Sequence, residues 1–377
     1  MIKAGILGGG QLGRMLLQEA ANYPVEVTVM EKDPTCPAAK LCHHFIQGDI
    51  TNYGDVIRFG EGLDVITIEI ENVNIEALFE LENRGCRIIP KPSALQTIKN
   101  KILQKEFYSR NEIPTAAYKV LQSQEELRQN IDFLPAVHKL ATGGYDGKGV
   151  QILKSADEVS LGFDAASVLE KMISIDKEIA ITVAVAANGK TAIYPAVEMF
   201  FDPVLNLLDL QLCPAGIPQK TLWKAEAMAM SVARNLGSPG IFAIEMFVDR
   251  DGNVWVNETA PRVHNSGHHT IEAHFSSQFD MLWRIMLDYP LGNTNMIMSS
   301  MMVNLLGAEG FAGKTRYEGL EEVLSIPDVF VHLYGKTETK PGRKMGHATI
   351  ISNEKQELIH QANRIKSALK IKGDKTI

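Results

Sequence analysis

The sequence predicts an α/β protein whose first domain is a doubly wound parallel sheet, and three observations carry this prediction. Apolar strand-like runs alternate with helix-like segments over residues 1–90, which is the pattern of βαβ units. After that point a basic helix, a glycine-rich loop and two hairpin-like segments replace the alternation. The length of 377 residues also exceeds the roughly 250 to 300 residues that one core serves. We therefore expect an N-terminal domain over 1–97, a central domain over 98–290 and a small strand-rich domain over 291–377.

Five strands and one amphipathic helix can be recognised in the first domain. Leu12, Met15, Leu16 and Ala20 fall on one face of the segment QLGRMLLQEAA, which indicates a helix packed on a sheet. The expected strands are, in chain order, KAGIL, VEVTVM, HFI, DVITIEI and CRIIP.

Charge and composition exclude several classes of function. A formal net charge of −7 leaves no overall basic surface, which argues against nucleic acid or a membrane as the main partner. The four cysteines form no CxxC pair, and we interpret them as reduced thiols that are buried as small apolar side chains. The N-terminal apolar run is too short for a signal peptide, and no run approaches the length of a membrane span. These features predict a cytoplasmic protein.

A glycine-rich turn follows the first strand and raises a question about its ligand. Gly8, Gly10 and Gly13 match the pattern Gly-x-Gly-x-x-Gly, and Glu31 ends the next apolar run, as in dinucleotide-binding proteins. A helix that starts at such a turn suits any phosphate or carboxylate equally well. These glycines alone leave both interpretations open.

Two hairpins are expected in the central domain, and the second one positions two acids. Asn188-Gly189 and Asp251-Gly252 each separate alternating apolar runs, the strongest short-range hairpin signal. Counting outward from a two-residue turn at Asp251-Gly252 places Glu245 directly opposite Glu258. Like charges in that position destabilise a sheet unless a cation lies between them, and carboxylate oxygens suit Mg²⁺.

A glycine-rich loop and several lysines indicate a nucleotide triphosphate site. The stretch TGGYDGKG over 142–149 holds four glycines, so its backbone amides can approach phosphate. Lys139, Lys101 and Lys105 add positive charge, although a flexible surface loop remains the alternative. Downstream, VLEKMI over 168–173 and then Glu178 could bind a purine and a ribose, or form an ordinary strand with a charged edge.

Two later loops suggest the binding of a second substrate. In APRVHNSGHHT, over 260–270, His264 and His268 have the spacing of a zinc pair only if they lie on a helix, and the surrounding Pro, Asn, Ser and Gly residues indicate a loop instead. We interpret this loop as substrate-binding. The segment LYGKTETKPGRKMGH concentrates five basic side chains in an otherwise acidic chain, as expected of a phosphate-binding segment.

Four motifs in register resemble one enzyme family. GGGQLGRM, TGGYDGKG, NETAPRVHNSGHHT and KPGRKMGH are similar, over nearly the whole chain, to the ATP-grasp 5-(carboxyamino)imidazole ribonucleotide synthases of purine biosynthesis. The resemblance implies an ATP-grasp fold with an N-terminal pre-ATP-grasp domain. It implies ATP and bicarbonate as co-substrates, two Mg²⁺ ions as cofactor, and carboxylation of the exocyclic amine of 5-aminoimidazole ribonucleotide through carboxyphosphate. It also implies a homodimer, and it places the glycine turn on the substrate side.

The resemblance also assigns residues to roles. The implied catalytic residues are Tyr145, Asp146, Lys148 and Arg262. The implied ATP-binding residues are Lys101, Lys139, Gly144, Tyr145, Asp146, Gly147, Lys148, Gly149, Glu170, Lys171, Met172, Ile173, Glu178, Asn257 and Glu258. The implied ribonucleotide-binding residues are Gln11, Glu69, Glu71, Asn265, Ser266, Lys336 and Arg343. The implied metal ligands are Glu245 and Glu258.

The chain departs from the family pattern at one place. Relatives often have Glu-Asn-Ile-His where this chain has the sequence VEMFFDPVLN. The chain therefore lacks that histidine, and Phe201 cannot replace its hydrogen bond.

Three other functions are alternatives to the synthase activity. They are an NAD-dependent oxidoreductase, a nucleotide sensor without activity, and a sister ligase such as a formate-dependent glycinamide ribonucleotide transformylase.

Overall fold

The N-terminal domain is built on a parallel five-stranded sheet. The computed structural model describes residues 1–144, 149–203, 205 and 207–376. The elements of this domain are β1 (Ile2–Leu7), α1 (Gln11–Ala20), β2 (Val25–Glu31), β3 (His44–Gln47), α2 (Tyr53–Gly60), β4 (Val65–Ile68), α3 (Ile75–Asn83), β5 (Arg87–Ile89) and α4 (Pro92–Lys99). The strand order is β3-β2-β1-β4-β5, and every pair is parallel. All five predicted strands are confirmed.

Apolar side chains cover both faces of this sheet. Ile6 on β1 packs in a core with α1, whereas the next residue, Leu7, packs in a second core with α2 and α3. This alternation is what a parallel sheet with helices on both faces requires. Leu12, Met15, Leu16 and Ala20 are all buried, which confirms the predicted apolar face of α1.

The sheet order creates a crevice for ligands between β1 and β4. The chain runs outward in one direction from β1 to β3 and in the other from β4 to β5, so the loops after β1 and β4 leave the sheet in opposite directions. Open α/β sheets bind ligands at this point. The glycine turn follows β1 here, and Glu69 and Glu71 follow β4.

A small antiparallel sheet begins the central domain. The elements of this part are α5 (Lys101–Arg110), β6 (Tyr118–Leu121), α6 (Gln124–Arg128), β7 (Ala136–Leu140), β8 (Val150–Leu153) and β9 (Ser167–Lys171), with short 3-10 helices at Ile131–Phe133 and Ala156–Leu161. The strands have the order β6-β9-β7-β8, and the side chain of Asn100 caps the start of α5.

A larger sheet connects the central domain to the C-terminal strands. Its central elements are β10 (Ile175–Val185), β11 (Thr191–Ile193), β12 (Val197–Phe201), β13 (Leu208–Cys213), α7 (Gln219–Asn235), β14 (Gly240–Asp249), β15 (Val254–Ala260), a 3-10 turn (Asn265–Gly267), α8 (Thr270–Ala273) and α9 (Gln278–Met286). The C-terminal elements are β16 (Ser300–Leu306), β17 (Phe311–Lys314), β18 (Arg316–Glu318), α10 (Leu320–Leu324), β19 (Val329–Leu333), β20 (Glu338–Thr339), β21 (Lys344–Ile351), α11 (Lys355–Ala368), β22 (Lys370–Lys372) and β23 (Lys375–Thr376).

The strands after residue 290 therefore continue a sheet that starts earlier in the chain. The order is β15-β14-β10-β12-β13-β16-β21-β19, and β13 pairs with β16 from Leu210↔Val303 to Cys213↔Ser300. This continuity fixes the C-terminal segment relative to the central domain. Over the described part of the chain, no helix is both long enough and apolar enough to cross a membrane.

Candidate active site

The hairpin of β14 and β15 brings two glutamates face to face. Glu245 lies directly opposite Glu258, so the predicted pairing is confirmed, but the predicted two-residue turn is wrong. The amide of Asp249 donates to the carbonyl of Asn253, which leaves three residues in the turn. Asn257 then forms a bulge that shifts the register by one residue. The longer turn and the bulge offset one another, and this is why the count from the turn gave the right pair.

The two carboxylates differ in charge. Lys101 Nζ lies 2.7 Å from Glu258 Oε2, and this ammonium lowers the pKa of Glu258 to about 2. Burial, together with the charge of Glu258, raises the pKa of Glu245 to about 8. At neutral pH Glu245 therefore keeps its proton while Glu258 is ionised. A divalent cation can replace that proton, because its charge stabilises both carboxylates in their ionised form. The Glu258 side chain is 43 % exposed, so a cation can reach it, and this donor set fits Mg²⁺.

Two further lysines converge on one buried carboxylate, that of Glu170. Lys105 Nζ lies 3.0 Å from one of its oxygens and Lys139 Nζ lies 3.1 Å from the other. Lys139 also donates to Asn257 Oδ1 at 2.9 Å. Burial lowers the pKa of Lys105 to about 8. The Glu170 side chain therefore holds Lys139 beside the bulge that carries Glu258.

The stretch that the resemblance assigns to adenine continues at the end of β9. Lys171 Nζ donates to the carbonyl oxygens of Phe133 and Leu134 at 3.0 and 3.2 Å. Met172 is exposed, and Ile173 is half-buried. Their contact with a base stays a prediction.

Glu178, which the resemblance assigns to the ribose, lies on the same sheet face as Glu245. It pairs across β10 and β14 with Phe247, two positions from Glu245. Burial raises the pKa of Glu178, and its charge adds to the electrostatic effect that raises the pKa of Glu245. This face of the sheet therefore carries several glutamates, and the charges of Lys101, Lys139 and Lys344 act on them.

The structure describes the two ends of the predicted phosphate-binding loop. Gly149 has φ of +76°, a left-handed conformation that favours glycine, and its carbonyl accepts a bond from the Leu140 amide at 2.9 Å. Gly144 lies at the other end. Tyr145, Asp146, Gly147 and Lys148 lie outside the described residues, and their implied roles stay predictions.

The glycine turn after β1 is filled by carboxylates of the chain itself. The Gly9 amide donates to Glu31 Oε2 at 3.1 Å, and the Leu12 amide donates to Glu69 Oε1 at 3.2 Å. A Cβ on Gly10 would come within 2.4 Å of Glu69 Oε1. These carboxylates occupy amides that a pyrophosphate needs in a dinucleotide-binding protein. The arrangement argues against the dinucleotide alternative.

Charged pairs bring the predicted ribonucleotide-binding residues together from distant parts of the chain. Arg262 Nη2 lies 2.9 Å from Glu71 Oε1. Lys336 Nζ donates to Gln11 Oε1 at 2.9 Å, across 325 positions of sequence. Burial raises the pKa of Glu69, and the charge of Arg262 opposes this shift, so Glu69 also lies near the guanidinium. These residues surround the crevice between β1 and β4.

Arg343 lies farther along the same C-terminal segment. Its guanidinium donates to the Glu338 carbonyl at 2.8 Å, and its charge contributes to the lowered pKa of Asp33, which follows β2. The side chain therefore lies close to the N-terminal domain.

The loop at 264–268 contains a buried amide that is available to a ligand. Asn265 Nδ2 and Oδ1 are both buried without a hydrogen-bond partner among the described residues. Ser266 Oγ lies 3.0 Å from His264 Nδ1, and the Ser266 carbonyl accepts a bond from Gln211 Nε2 at 2.9 Å. Neighbouring side chains thus hold Ser266 in place, whereas the Asn265 amide lacks a bond that a substrate could supply.

Three family models match successive parts of the chain. A ribonucleotide synthetase preATP-grasp domain matches residues 1–99, an ATP-grasp domain matches 106–279, and a phosphoribosylaminoimidazole carboxylase C-terminal domain matches 300–361. The crystal structure of N5-carboxyaminoimidazole ribonucleotide synthetase from Thermotoga maritima is 38 % identical, with a TM-score of 0.92, and the match covers 99 % of this chain and all of that one. The chain belongs to the N5-carboxyaminoimidazole ribonucleotide synthase family. The predicted family and fold are thereby confirmed.

Other relatives match over different shares of their length. The synthase of Aspergillus clavatus, crystallised with ADP and 5-aminoimidazole ribonucleotide, is 30 % identical, with a TM-score of 0.88, over 97 % of this chain and 98 % of its own. Phosphoribosylaminoimidazole carboxylase of Vigna aconitifolia is 34 % identical over 93 % of this chain. The chain spans 64 % of the length of that plant protein.

Two residues of this synthase-family site were missed by the sequence reasoning. His264 Nε2 lies 3.7 Å from Glu245 Oε1, so it connects the carboxylate pair to the loop of Asn265. The Arg14 guanidinium lies 3.7 Å from where a Cβ on Gly335 would stand, beside Lys336. The position of Arg14, one helical turn after Gln11, was a signal for it. The position of His264 depends on the path of the chain after β15, which no local pattern gives.

Proposed function

We propose that the chain is an ATP-dependent ligase that carboxylates the exocyclic amine of 5-aminoimidazole ribonucleotide with bicarbonate, in purine biosynthesis. One observation carries this proposal. The short segment from Asn257 to Ser266 contributes to both halves of the site, because Glu258 pairs with Lys101 while Arg262 pairs with Glu71 of the N-terminal domain. A nucleotide on the acidic hairpin and a ribonucleotide in the crevice would therefore meet along one segment.

The nucleotide half combines positive charge with a site for a cation. Lys101 and Lys139 would neutralise charge on the ATP phosphates as it develops during transfer. Glu245 and Glu258 would hold Mg²⁺, which would stabilise the negative charge of the ATP phosphates. The resemblance implies two ions, and this number stays a proposal.

The acceptor half offers hydrogen-bond donors for a carboxyl group. Arg262 Nε is buried without a partner among the described residues, so the guanidinium keeps a donor for bicarbonate or its phosphorylated product. Asn265 and Ser266 would orient the ribonucleotide, and Glu69 and Glu71 lie beside the crevice. Lys336 and Arg343 would bind its 5′-phosphate, for which a guanidinium offers two parallel donors.

The proposed reaction has two bond exchanges. The γ-phosphoryl group passes from ATP to a bicarbonate oxygen, which forms carboxyphosphate and releases ADP. The amine nitrogen then bonds to the carboxyl carbon, either of carboxyphosphate or of the CO₂ that it releases, while the carbon–oxygen bond to phosphate breaks and the amine loses a proton. Exclusion of water protects carboxyphosphate from hydrolysis, a role that we assign to the glycine loop.

The test follows ADP, phosphate and the ribonucleotide together in the same reaction. We expect one ADP and one phosphate for each 5-aminoimidazole ribonucleotide consumed, with the rate dependent on bicarbonate. Parallel reactions with glycinamide ribonucleotide and formate test the sister ligase, and reactions with NAD(H) test the oxidoreductase. Turnover in either parallel reaction without consumption of the aminoimidazole ribonucleotide would contradict the proposal.

We also infer a homodimer that works in the cytoplasm, as the resemblance and the composition suggest. Size-exclusion chromatography with light scattering measures the molar mass of the full chain in solution and would test the assembly. A mass of one chain at micromolar concentration would contradict the dimer.

A further inference from the structure

A second cluster of metal-binding side chains lies behind the loop of Asn265. Cys213 ends β13, and His269 and His274 stand at the two ends of α8. One ligand atom from each of these three residues lies within 4.8 Å of the other two. The backbone of Met296 forms an isolated antiparallel β-bridge with that of His274. The Met296 sulfur lies 3.5 Å from Cys213 Sγ. A thiol, two imidazoles and a thioether thus share one small volume.

The imidazoles of this cluster lack the hydrogen bonds that buried polar groups need. His269 and His274 are 2 % and 3 % exposed, and Cys213 is fully buried. His269 Nε2 and both ring nitrogens of His274 have no partner among the described residues. Such atoms in a folded protein call for a missing partner, for which a water or an ion is the usual explanation.

Chemistry favours an ion over a water. We propose that Cys213, His269 and His274 bind one thiophilic d¹⁰ cation, Zn²⁺ or Cu⁺, with Met296 as a weak fourth ligand. Thiolate and imidazole are the common ligands of Zn²⁺, and a thioether beside a thiolate favours Cu⁺. This site is separate from the carboxylate pair, whose oxygen ligands suit Mg²⁺.

Protonation of the side chains is compatible with binding. Burial lowers the pKa of His274 to about 4 and that of His269 well below its ordinary range, so both rings are neutral, the form that binds metals. Burial raises the pKa of the Cys213 thiol, and the cation must therefore displace its proton. Metal uptake at this site releases that proton to solvent.

Two rearrangements complete the coordination. Bonds of about 2.0 to 2.3 Å in tetrahedral geometry place the ligand atoms of one ion about 3.5 Å apart, whereas those of the cluster lie within 4.8 Å of one another, so any pair beyond the tetrahedral separation must move closer. Gln211 Nε2 donates to His269 Nδ1 at 2.7 Å, which places the ring proton on Nε2. Binding through Nε2 requires the Gln211 amide to turn, so that its Oε1, which has no partner among the described residues, accepts the proton from Nδ1. The turn replaces the hydrogen bond to the Ser266 carbonyl with a contact between two oxygens, a cost that the metal–nitrogen bond must exceed.

A surface pocket reaches one residue of the cluster. His274 lines a cavity of about 360 Å³ whose other lining residues include Glu19, Asp280, Arg284 and the exposed Phe275. Arg284 Nε lies 2.8 Å from Asp280 Oδ2, so the pocket is lined by charges of both signs. An ion that enters this pocket meets the His274 side chain in its wall.

The experiment measures binding of each metal ion to the full chain. The protein is treated with a chelator and a thiol reductant, then titrated anaerobically with Zn²⁺ or with Cu⁺ against a chromophoric chelator, with millimolar Mg²⁺ and ADP present to occupy the carboxylate pair. We expect one equivalent of at least one of the two ions to bind. Cys213→Ala and His274→Phe should each weaken that binding by roughly a hundredfold or more. His274→Phe keeps an aromatic ring beside Tyr194, whose ring centre lies 5.6 Å from that of His274.

Matched controls separate this site from other thiols and from misfolding. Cys86→Ala removes another buried thiol, in the N-terminal domain, and should bind as the unmodified chain does. Co²⁺ gives an independent readout, because a thiolate–cobalt charge-transfer band should be present in the unmodified chain and absent in Cys213→Ala. Thermal unfolding checks that each variant is folded. Equal binding by folded Cys213→Ala, or no binding of either ion by the unmodified chain, would overturn the proposal.

Discussion

The charge of Glu258 depends on a single neighbour, Lys101. The ammonium lies 2.7 Å from the carboxylate and keeps its pKa far below the ordinary range. Glu245 opposite has a raised pKa because it is buried and faces that charge. One hairpin therefore holds two acids in different protonation states, which is typical of functional sites.

Replacing Glu258 with glutamine should abolish turnover while the fold is retained. The substitution removes an anionic ligand for a cation that acts mainly in the transition state, so we expect a loss of roughly a thousandfold or more in kcat. Phosphate release at saturating Mg²⁺ measures it. Glu198→Gln is the matched control, since Glu198 is also paired with a lysine on this sheet, Lys177 at 2.6 Å, and should keep its activity. More than half of the normal rate in Glu258→Gln would exclude this hairpin as the metal site.

Binding of Mg²⁺ and nucleotide should release protons near neutral pH. Glu245 holds its proton below a pKa of about 8, and a cation on the pair must displace that proton. The affinity for Mg·ADP should therefore rise as the pH increases from 6 to 8 and level off above about 8. Calorimetry in two buffers of different ionisation enthalpy measures the release, which should approach one proton at pH 7. If the number of protons released on binding does not change between pH 6 and pH 9, Glu245 is not involved.

At the scale of elements, the bulge in β15 decides which face of the sheet carries Glu258. If Asn257 paired regularly instead of forming the bulge, the register that runs from Val248↔Val254 to Met246↔Val256 would continue with Asn257 opposite Glu245, and Glu258 would point to the opposite face. The bulge also presents the Asn257 side chain to Lys139. A single irregular residue thus aligns the carboxylate pair with the lysines.

Deleting Asn257 should weaken nucleotide binding without separating the two glutamates. The deletion removes the bulge, but the shortened strand still places Glu258 opposite Glu245, and the change that remains is the loss of the oxygen that accepts from Lys139 at 2.9 Å. Isothermal titration with Mg·ADP should show roughly tenfold weaker binding than for the unmodified chain, an estimate based on the loss of one hydrogen bond to a charged group.

Deletion of Asn188 provides the control for a shortened hairpin. That residue lies in the exposed turn between β10 and β11, where a two-residue turn ending in Gly189 is also allowed. This variant should bind Mg·ADP normally. Normal binding by the Asn257 deletion would mean that the bond between Asn257 and Lys139 does not contribute to nucleotide binding.

At the scale of the whole molecule, the continuous sheet brings the C-terminal segment to the N-terminal domain. Pairing of β13 with β16 fixes the later strands, and the segment between β19 and β21 places Lys336 on Gln11. The crevice between β1 and β4 is thus bounded by residues from all three family-matched regions. A ligand in it would contact distant parts of the chain at once.

Replacing Arg343 with alanine should weaken binding of the ribonucleotide and leave ATP unaffected. The substrate carries a 5′-phosphate, and loss of a guanidinium should raise its KM by roughly ten- to a hundredfold, or about 1.4 to 2.7 kcal/mol. Residual binding should weaken with ionic strength, because Lys336 alone would attract the dianion. Initial rates against each substrate give the two KM values.

Lys340→Ala is the matched control for charge in the same segment. Lys340 is exposed, so its removal should leave both KM values within about twofold, as for most surface contacts. If Arg343→Ala instead raised the KM for ATP, the C-terminal segment would belong to the nucleotide half of the site.

Local patterns were sufficient for the strands of the first domain and for the pairing of Glu245 with Glu258. Alternation and turn residues act over a few positions, and the apolar face of α1 follows from helical spacing alone. Even so, the hairpin count was right only because a three-residue turn and a bulge offset one another. The motifs that resemble the synthase family were likewise present in the sequence, and they identified it.

Only the tertiary structure decided how the charged groups are partnered. Glu170 is buried between Lys105 and Lys139, and Glu31 and Glu69 fill the glycine turn. Lys336 meets Gln11 from the other end of the chain, and Cys213 lies beside two histidines that follow it by more than fifty positions. These contacts join residues far apart in sequence. Their partners are set by how sheets and loops pack, because burial forces each charged or polar group to find a partner in space, and no local periodicity records which one it will be.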